Sequence, residues 1–420
     1  MAQQTPARAP MKHAKPPAGV TVIENGSATS PQGFAAGAVY AGIKTPGPGK
    51  LDIGILASDR LATVAAMFTR NTVKGAAVIV SQRTSRNACR GVIVNSGISN
   101  TGTGVPGIID AEEMCALAAK QLGDGAHPAE FLVGSTGVIG QVLPMEKVRE
   151  GTQRIKLTAD GGHDFARAII TTDTHPKSFA VRFDADGHTY PMGVVAKGSG
   201  MIHPDMATMF CFITTDAAVN RRYLRDSLRA AVNDSLNMMS VDGDTSTSDT
   251  TAIFANGAAG GDPIEDGHPA APAFEAALRY VCIVMARMLA RDGEGAEKLI
   301  EVRIEGAAND KEARAAARTV SASPLVKTAV HGNDPNWGRL LMAVGRSYAR
   351  IHVDRARIWL GDIVVYDRGI IAFDRDAASK YLRNEEVLLR VDLAIGNSAA
   401  TAWGCDMTPE YVHINSDYTT

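Results

Sequence analysis

The stretch Lys197-Gly-Ser-Gly-Met-Ile-His-Pro-Asp-Met-Ala-Thr208-Met-Phe-Cys-Phe-Ile-Thr-Thr-Asp216 decides how this chain is read. Glycines lead into a small residue and a threonine, and the apolar run 209–213 that follows predicts a buried strand. A threonine at such a position can act on its own upstream peptide bond. Its hydroxyl attacks the Ala207 carbonyl in an N-to-O acyl shift, and hydrolysis of the ester frees Thr208 as a new N-terminus. A free α-amine has an ordinary pKa of about 8, close to working pH, so it can serve as base for its own hydroxyl. A Ser-His-Asp set is then not needed.

Working outward, α and β signals alternate along the chain. Val92–Asn95 reads as a buried strand, and Asp110 as the cap of a helix running to Leu122 with Glu112 and Glu113 in its first turn. Helical spacing of Leu224, Leu228, Ala231, Val232 and Leu236 predicts a helix over 222–239, and another spans about 272–289. Two later segments alternate with period two. Ile300, Val302 and Ile304 face away from Glu301, Arg303 and Glu305, and Val387, Leu389, Val391, Leu393 and Ile395 repeat the pattern. A helix-rich region gives way to a strand-rich one near residue 300. The expected organisation is a disordered tail over 1–19, a catalytic α/β domain over 20–300, and a C-terminal α/β domain over 301–420.

The 420 residues are 45% hydrophobic and 21% charged, enough to bury a large core. With 43 Lys and Arg against 45 Asp and Glu the net charge is −2, which argues against nucleic acid as a general partner. No apolar run approaches the ~18 residues of a membrane span. The five cysteines are scattered, with no C-x-x-C pair, so a reducing, cytoplasmic setting is expected and a disulfide framework or zinc site is not. The first 19 residues lack the apolar stretch of a secretory signal.

Several local patterns have ordinary explanations. Gly102-x-Gly104-x-x-Gly107 matches a dinucleotide fingerprint in form, but Pro106 interrupts it and no ribose-binding acid follows on a second strand, so it reads as a glycine-rich turn. Asp242-Gly-Asp244 resembles a two-aspartate phosphotransfer loop, which would need an apolar strand directly before it; turn chemistry through Thr245–Asp249 is the better reading. His203 and His331 are candidate bases that read more simply as hydrogen-bonding or surface residues, and the ten histidines show no metal-ligand spacing.

Many short motifs then occur in one order. They are Asn95-Ser-Gly97, Ser135-Thr-Gly-Val-Ile-Gly140, Thr171-Thr-Asp-Thr174, the Lys197–Asp216 stretch and Val241-Asp-Gly-Asp-Thr-Ser-Thr247. Asp292-Gly-Glu-Gly295, Leu325-Val-Lys-Thr328, Asp334-Pro-Asn-Trp-Gly-Arg339 and the closing Tyr411–Thr420 follow. In this order the chain resembles the ornithine acetyltransferase (glutamate N-acetyltransferase) family of arginine biosynthesis over essentially its whole length after the tail. It departs from the usual pattern at Asn100–Gly104, His203, Asp205 and His331, none of them a position carried over below.

The resemblance implies a layered α/β sandwich of the self-processing N-terminal-threonine type, with a smaller C-terminal α/β domain contributing to the substrate site. It implies an acetyltransferase in which Thr208 takes acetyl from N-acetylornithine and passes it to glutamate, after cleavage between Ala207 and Thr208. Thr136 and Gly137 match the positions that stabilise the oxyanion. Lys197 and Glu294 match the cation and anion that meet the charged substrates, with Thr174, Thr208, Asn415 and Thr420 as further contacts. By residue type alone, Lys197 and Glu294 would be solvated surface charges. No resident cofactor or metal is implied, and acetyl-CoA is left open as a second donor. The expected partners are small amino acids and the chain's own two fragments, paired into a heterotetramer. An amidase or aminopeptidase, or an acetyltransferase of secondary metabolism on the same scaffold, is the alternative, and a phosphatase built on Asp242 and Asp244 is a further one.

Overall fold

The computed structural model describes residues 15–44, 50–185, 187–203 and 209–417. Ten strands belong to the first 300 residues: β1 (Val20–Val22), β2 (Phe34–Val39), β3 (Ile53–Phe68), β4 (Cys89–Ile98), β5 (Phe131–Val138), β6 (Lys177–Ala185), β7 (His188–Lys197), β8 (Phe210–Thr215), β9 (Met239–Ser240) and β10 (Thr250–Ala255). All but β9 join one sheet in the order β1-β6-β7-β8-β10-β3-β4-β5, with β2 on the other edge of β3. The long β3 bends this sheet back on itself. Its second half pairs with β10, its first half with β2 and β4, and the register slips between Ala57 and Ala62.

Side chains from the two limbs meet face to face. Leu56, Val92, Val94 and Leu132 from one limb pack with Val195, Phe210, Phe212 and Phe254 from the other, and Phe165 of α4 (Gly162–Ala168) completes the cluster. Alternate residues point outward. Ile93 and Val133 pack against α1 (Ala76–Thr84), α2 (Gly104–Leu122) and α3 (Met145–Gln153). Cys211 and Ile213 pack against α5 (Arg221–Asn233) and α6 (Ala271–Arg291). These strands are buried on both faces, which is why they read as continuous apolar runs.

A second sheet holds β11 (Leu299–Ala307), β12 (Arg357–Leu360), β13 (Ile363–Asp367), β14 (Glu386–Asp392) and β15 (Ser398–Cys405), in the order β13-β12-β14-β11-β15-β9. Helices α7 (Asp310–Ser321), α8 (Pro324–His331), α9 (Trp337–Arg346) and α10 (Arg375–Leu382) accompany it, and α11 (Pro409–Asp417) follows β15. β9 comes from before residue 300 yet pairs with β15, and one apolar cluster runs from β7 through α6 to β14. The two sheets therefore share a core.

Two predicted elements are corrected. The helix expected from Asp110 begins at Gly104, with Thr103 in the cap position, so Asp110, Glu112 and Glu113 lie beyond its first turn. Pro106 fits because the first-turn N–H groups have no partner within the helix anyway. The helix expected over 222–239 ends at Asn233. Ser235 turns its hydroxyl onto the Ala231 carbonyl, and Met239 and Ser240 pair with Trp403 and Gly404, so tertiary strand pairing overrides the helical spacing.

Candidate functional site

Strand ends and loops converge at one end of the sandwich. β7 finishes at Lys197, whose partner across the ladder is Phe210 at the start of β8. Lys197 is 7% exposed, and its ammonium lies 5.6 Å from the Phe210 ring centroid. Its hydrogen bond to Thr171 Oγ1 is long, at 3.5 Å. Burial pushes its pKa below the ordinary lysine value, and the carboxylates of Asp173 and Asp249 pull it back only in part.

Beside Lys197 lies an ionic knot missing from the sequence prediction. Lys177 is wholly buried and donates to Asp173 Oδ1 at 2.5 Å and Asp292 Oδ2 at 2.7 Å. Asp173 also accepts from the Thr171 and Gly198 amides, and Asp292 from the Thr174 amide and hydroxyl. Burial alone would lower the Lys177 pKa and raise those of both aspartates; their mutual attraction reverses each shift, so Lys177 is held up and both carboxyls down. One ammonium thus ties the Thr171–Thr174 loop to the end of β7 and to the Asp292–Gly295 loop.

Glu294 sits on that last loop, 8% exposed. It accepts from Thr172 Oγ1 at 2.7 Å and from Asn415 Nδ2 of α11 at 2.8 Å. Gly200 leaves the room: a Cβ there would lie 2.4 Å from the Glu294 carboxylate. Lys197 and Glu294 are therefore buried charges, with Thr174 and Asn415 exposed around them.

Thr136 and Gly137 end β5, opposite Ser96 and Gly97 of β4. Gly137 has φ of 125°, and a Cβ there would lie 2.3 Å from the Gly97 carbonyl carbon, so only glycine allows this approach. This pair reaches the ionic cluster indirectly. Gly97 packs on the Lys44 backbone, and burial lowers the Lys44 pKa to about 8 although Asp52 and Asp173 oppose the shift. Ala207, Thr208 and Thr420 lie outside the described residues.

The remaining motifs resolve simply. Asp242 accepts from the Met201, Ile202 and Asp244 amides, so it anchors backbone as a turn residue. His203 bonds Ser240 Oγ at 3.1 Å. His331 lies 3.2 Å from Asp406 and 3.7 Å from Glu297, a trio that no linear spacing could reveal. Asp406 Oδ1 already accepts the Glu297 and Lys298 amides. Asp173 and Asp292 stand inside motifs quoted above, but Lys177 and Lys44 carry no local signal, since a lysine's burial depends on what folds over it.

Folded-back sheets flanked by helices, with buried charges gathered from distant loops, define a layered α/β protein with a composite polar site. The chain belongs to the ArgJ family, whose model matches residues 35–420. It is 45% identical over 403 residues to the "Arginine biosynthesis bifunctional protein ArgJ" of Dehalococcoides mccartyi, covering 96% of this chain and 99% of that one. It is 49% identical over 399 residues to the protein of that name from Symbiobacterium thermophilum, covering 94% and 99%. A crystal structure of the Bacillus halodurans protein of that name aligns at 42% identity and a TM-score of 0.49, covering 50% of this chain and all of that one.

Proposed function

We propose that this protein is an arginine-biosynthetic acetyltransferase that moves acetyl from N-acetylornithine to glutamate through an acetyl-Thr208 intermediate. Membership of a family whose curated members carry the name of arginine-biosynthesis bifunctional proteins sets the class of activity. The observation that carries the mechanism is that one lysine and one glutamate are both buried here, Lys197 across the ladder from Phe210 of the strand that Thr208 precedes, and Glu294 with its amide on the Ser199 carbonyl just beyond β7. N-Acetylornithine brings one carboxylate and one ammonium, and glutamate brings two carboxylates and one ammonium. A fixed cation and a fixed anion in a poorly hydrated site suit both.

In this reading the Thr208 hydroxyl attacks the acetyl carbonyl, its proton passes to the α-amine, and ornithine leaves with that proton on nitrogen. Glutamate nitrogen then attacks the acetyl-threonine and restores the hydroxyl. The oxyanion forms twice beside Thr136 and Gly137. Lys197 contributes by positive charge, which disfavours protonation of the neighbouring amine. "Bifunctional" in the relatives' name fits acetyl-CoA as a second donor, and small amino acids as partners follow from the same chemistry.

A short exposure to N-acetylornithine without glutamate is expected to add the mass of one acetyl group to the fragment beginning at Thr208. Added glutamate should discharge it as N-acetylglutamate in step with ornithine release. Discharge to acetate at an equal rate with and without glutamate would favour the amidase. Thr136→Val keeps the side-chain shape and removes one donor, so kcat is expected to fall by about 10²–10³-fold with little change in melting temperature. A wild-type kcat in that variant would remove Thr136 from the mechanism.

The two fragments would remain one body. The bond between 207 and 208 lies between β7 and β8, which pair from Met192–Thr215 to Lys197–Phe210. β8 and β10, from after the cut, are flanked by β7 and β3, from before it. A cut leaves every one of these ladders intact, and pairing of two such bodies into a heterotetramer is compatible with them.

A further inference from the structure

Glu297, His331 and Asp406 are far apart in the chain and meet at the root of the Glu294 loop. Glu297 stands between Glu294 and β11, His331 ends α8, and Asp406 directly follows β15. His331 Nδ1 lies 3.2 Å from Asp406 Oδ2 and 3.7 Å from Glu297 Oε2, and the three ligand atoms all lie within 4.8 Å of one another. An ion held tetrahedrally by nitrogen and oxygen at about 2.0–2.2 Å separates its ligands by about 3.3–3.6 Å. Two edges of the trio already match that spacing, and the exposed Glu297 side chain has room to close the third.

Asp406 is the fixed member. Its side chain is buried, and its Oδ1 accepts the Glu297 and Lys298 amides, both at 2.8 Å, which leaves Oδ2 to His331. A ligand carboxylate anchored through its other oxygen is in place before an ion arrives. His331 is half-buried and Glu297 exposed, so the trio is open to solvent on one side. The nearby Lys298 ammonium is engaged by the Val330 and His331 carbonyls and by Asn333 Oδ1. Its charge offsets one of the two carboxylates, and a dication would meet the other.

We propose that Glu297, His331 and Asp406 form a binding site for a divalent transition-metal ion of the zinc class, with water as the fourth ligand. One imidazole and two carboxylates suit such an ion better than Mg²⁺ or Ca²⁺, which take six or more ligands, mostly oxygen. The ion takes the place of the proton shared between Nδ1 and Oδ2, so binding releases that proton. Its position gives it a structural consequence. Thr408 Oγ1 donates to the Gly295 carbonyl at 2.8 Å, and Asn415 of α11 to Glu294 at 2.8 Å. Glu297 lies just past Gly295 and Asp406 just before Thr408, so the ion cross-links these two segments at their base and ties both to α8. The site rests on no part of the Thr208 mechanism.

The untagged protein, stripped with a chelator, would be titrated with Zn²⁺ alone, by calorimetry and by competition with a chromophoric chelator. One ion per chain is expected to bind saturably, and Glu297→Gln and His331→Gln are expected to bind it about tenfold or more weakly. Both side chains reach solvent, so neither change should disturb the fold. Co²⁺ in place of Zn²⁺ should give the intense visible absorption of a four-coordinate site, and His331→Gln should abolish it.

Stability reports the cross-link. Zn²⁺ at about 100 times its dissociation constant should raise the wild-type melting temperature by roughly 3 °C, and the same concentration should leave Glu297→Gln unmoved. Zn²⁺ binding of equal strength in wild type and both variants would mark an adventitious ion only and overturn the proposal, as would the lack of saturable binding in the wild type. A wild-type melting temperature unmoved by saturating Zn²⁺ would overturn the cross-link.

Discussion

Thr208→Ala is expected to run as a single chain on a denaturing gel where the natural sequence gives two fragments, and to lose acetyl transfer on the order of 10⁶-fold. The expected effect is large because, in the proposed mechanism, one residue supplies both the nucleophile and, once freed, its base. Removing the hydroxyl removes attack on the Ala207 carbonyl and on the acetyl group together, and the uncut amide nitrogen cannot act as a base. The fold should persist, since β7 and β8 stay paired whether or not the link between them is cut. Binding of N-acetylornithine should therefore survive in the variant, measured by calorimetry, while turnover does not. A Thr208→Ala chain that is still cut at the same bond, or still transfers acetyl, would dispose of the mechanism.

Lys177→Met is expected to lower unfolding free energy by about 3–5 kcal/mol, because it leaves two buried carboxylates facing each other without their cation. Most of that cost is uncompensated charge, so Lys177→Met combined with Asp173→Asn and Asp292→Asn should be more stable than Lys177→Met alone. Denaturant melts of both variants measure the difference.

The pH dependence carries the same signature. Asp173 and Asp292 have depressed folded pKa values, so their contribution is present above about pH 4 and is lost as acid titrates the folded carboxyls. Lys177 is shifted up, so its contribution is complete below about pH 10 and is lost in strong alkali. Unchanged stability in Lys177→Met at pH 7 would mean that the knot is not holding the loops. Loss of the knot should also weaken substrate binding, since it positions Thr174, the end of β7 and the Glu294 loop.

Element types were legible wherever a pattern was local. The alternating run at 300–305 is a strand, the run expected over 387–395 is strand only as far as Asp392, and the helix expected at 272–289 spans Ala271–Arg291. Boundaries failed where tertiary contact outbid local spacing. Residues 239–240 leave a helical pattern to pair with β15, and Asp110 sits inside a helix that proline lets begin earlier. Motif order gave Thr136, Gly137, Lys197, Glu294, Thr174 and Asn415 as expected site residues, and the structure bonds Asn415 to Glu294 and Thr174 to Asp292 beside Lys197. The knot was only half legible, since Asp173 and Asp292 stand in the quoted motifs while their partner, Lys177, stands in none of them.

The sequence by itself determined the chemistry available: a threonine before a buried strand, glycines where only glycine fits, and a family's motifs in their order. That much is local, because backbone freedom and side-chain reactivity belong to the residue and its neighbours. The tertiary structure decided which charges lie in water and which do not. Lys197, Lys177, Asp249 and Glu294 are individually ordinary; they become a site because β7, β8, β10 and two loops enclose them, and an ion's energy depends on how much water surrounds it. In the proposed reading the stretch from Lys197 to Asp216 supplies the nucleophile, and the burial of Lys197 and Glu294 sets the charges that would meet its substrates.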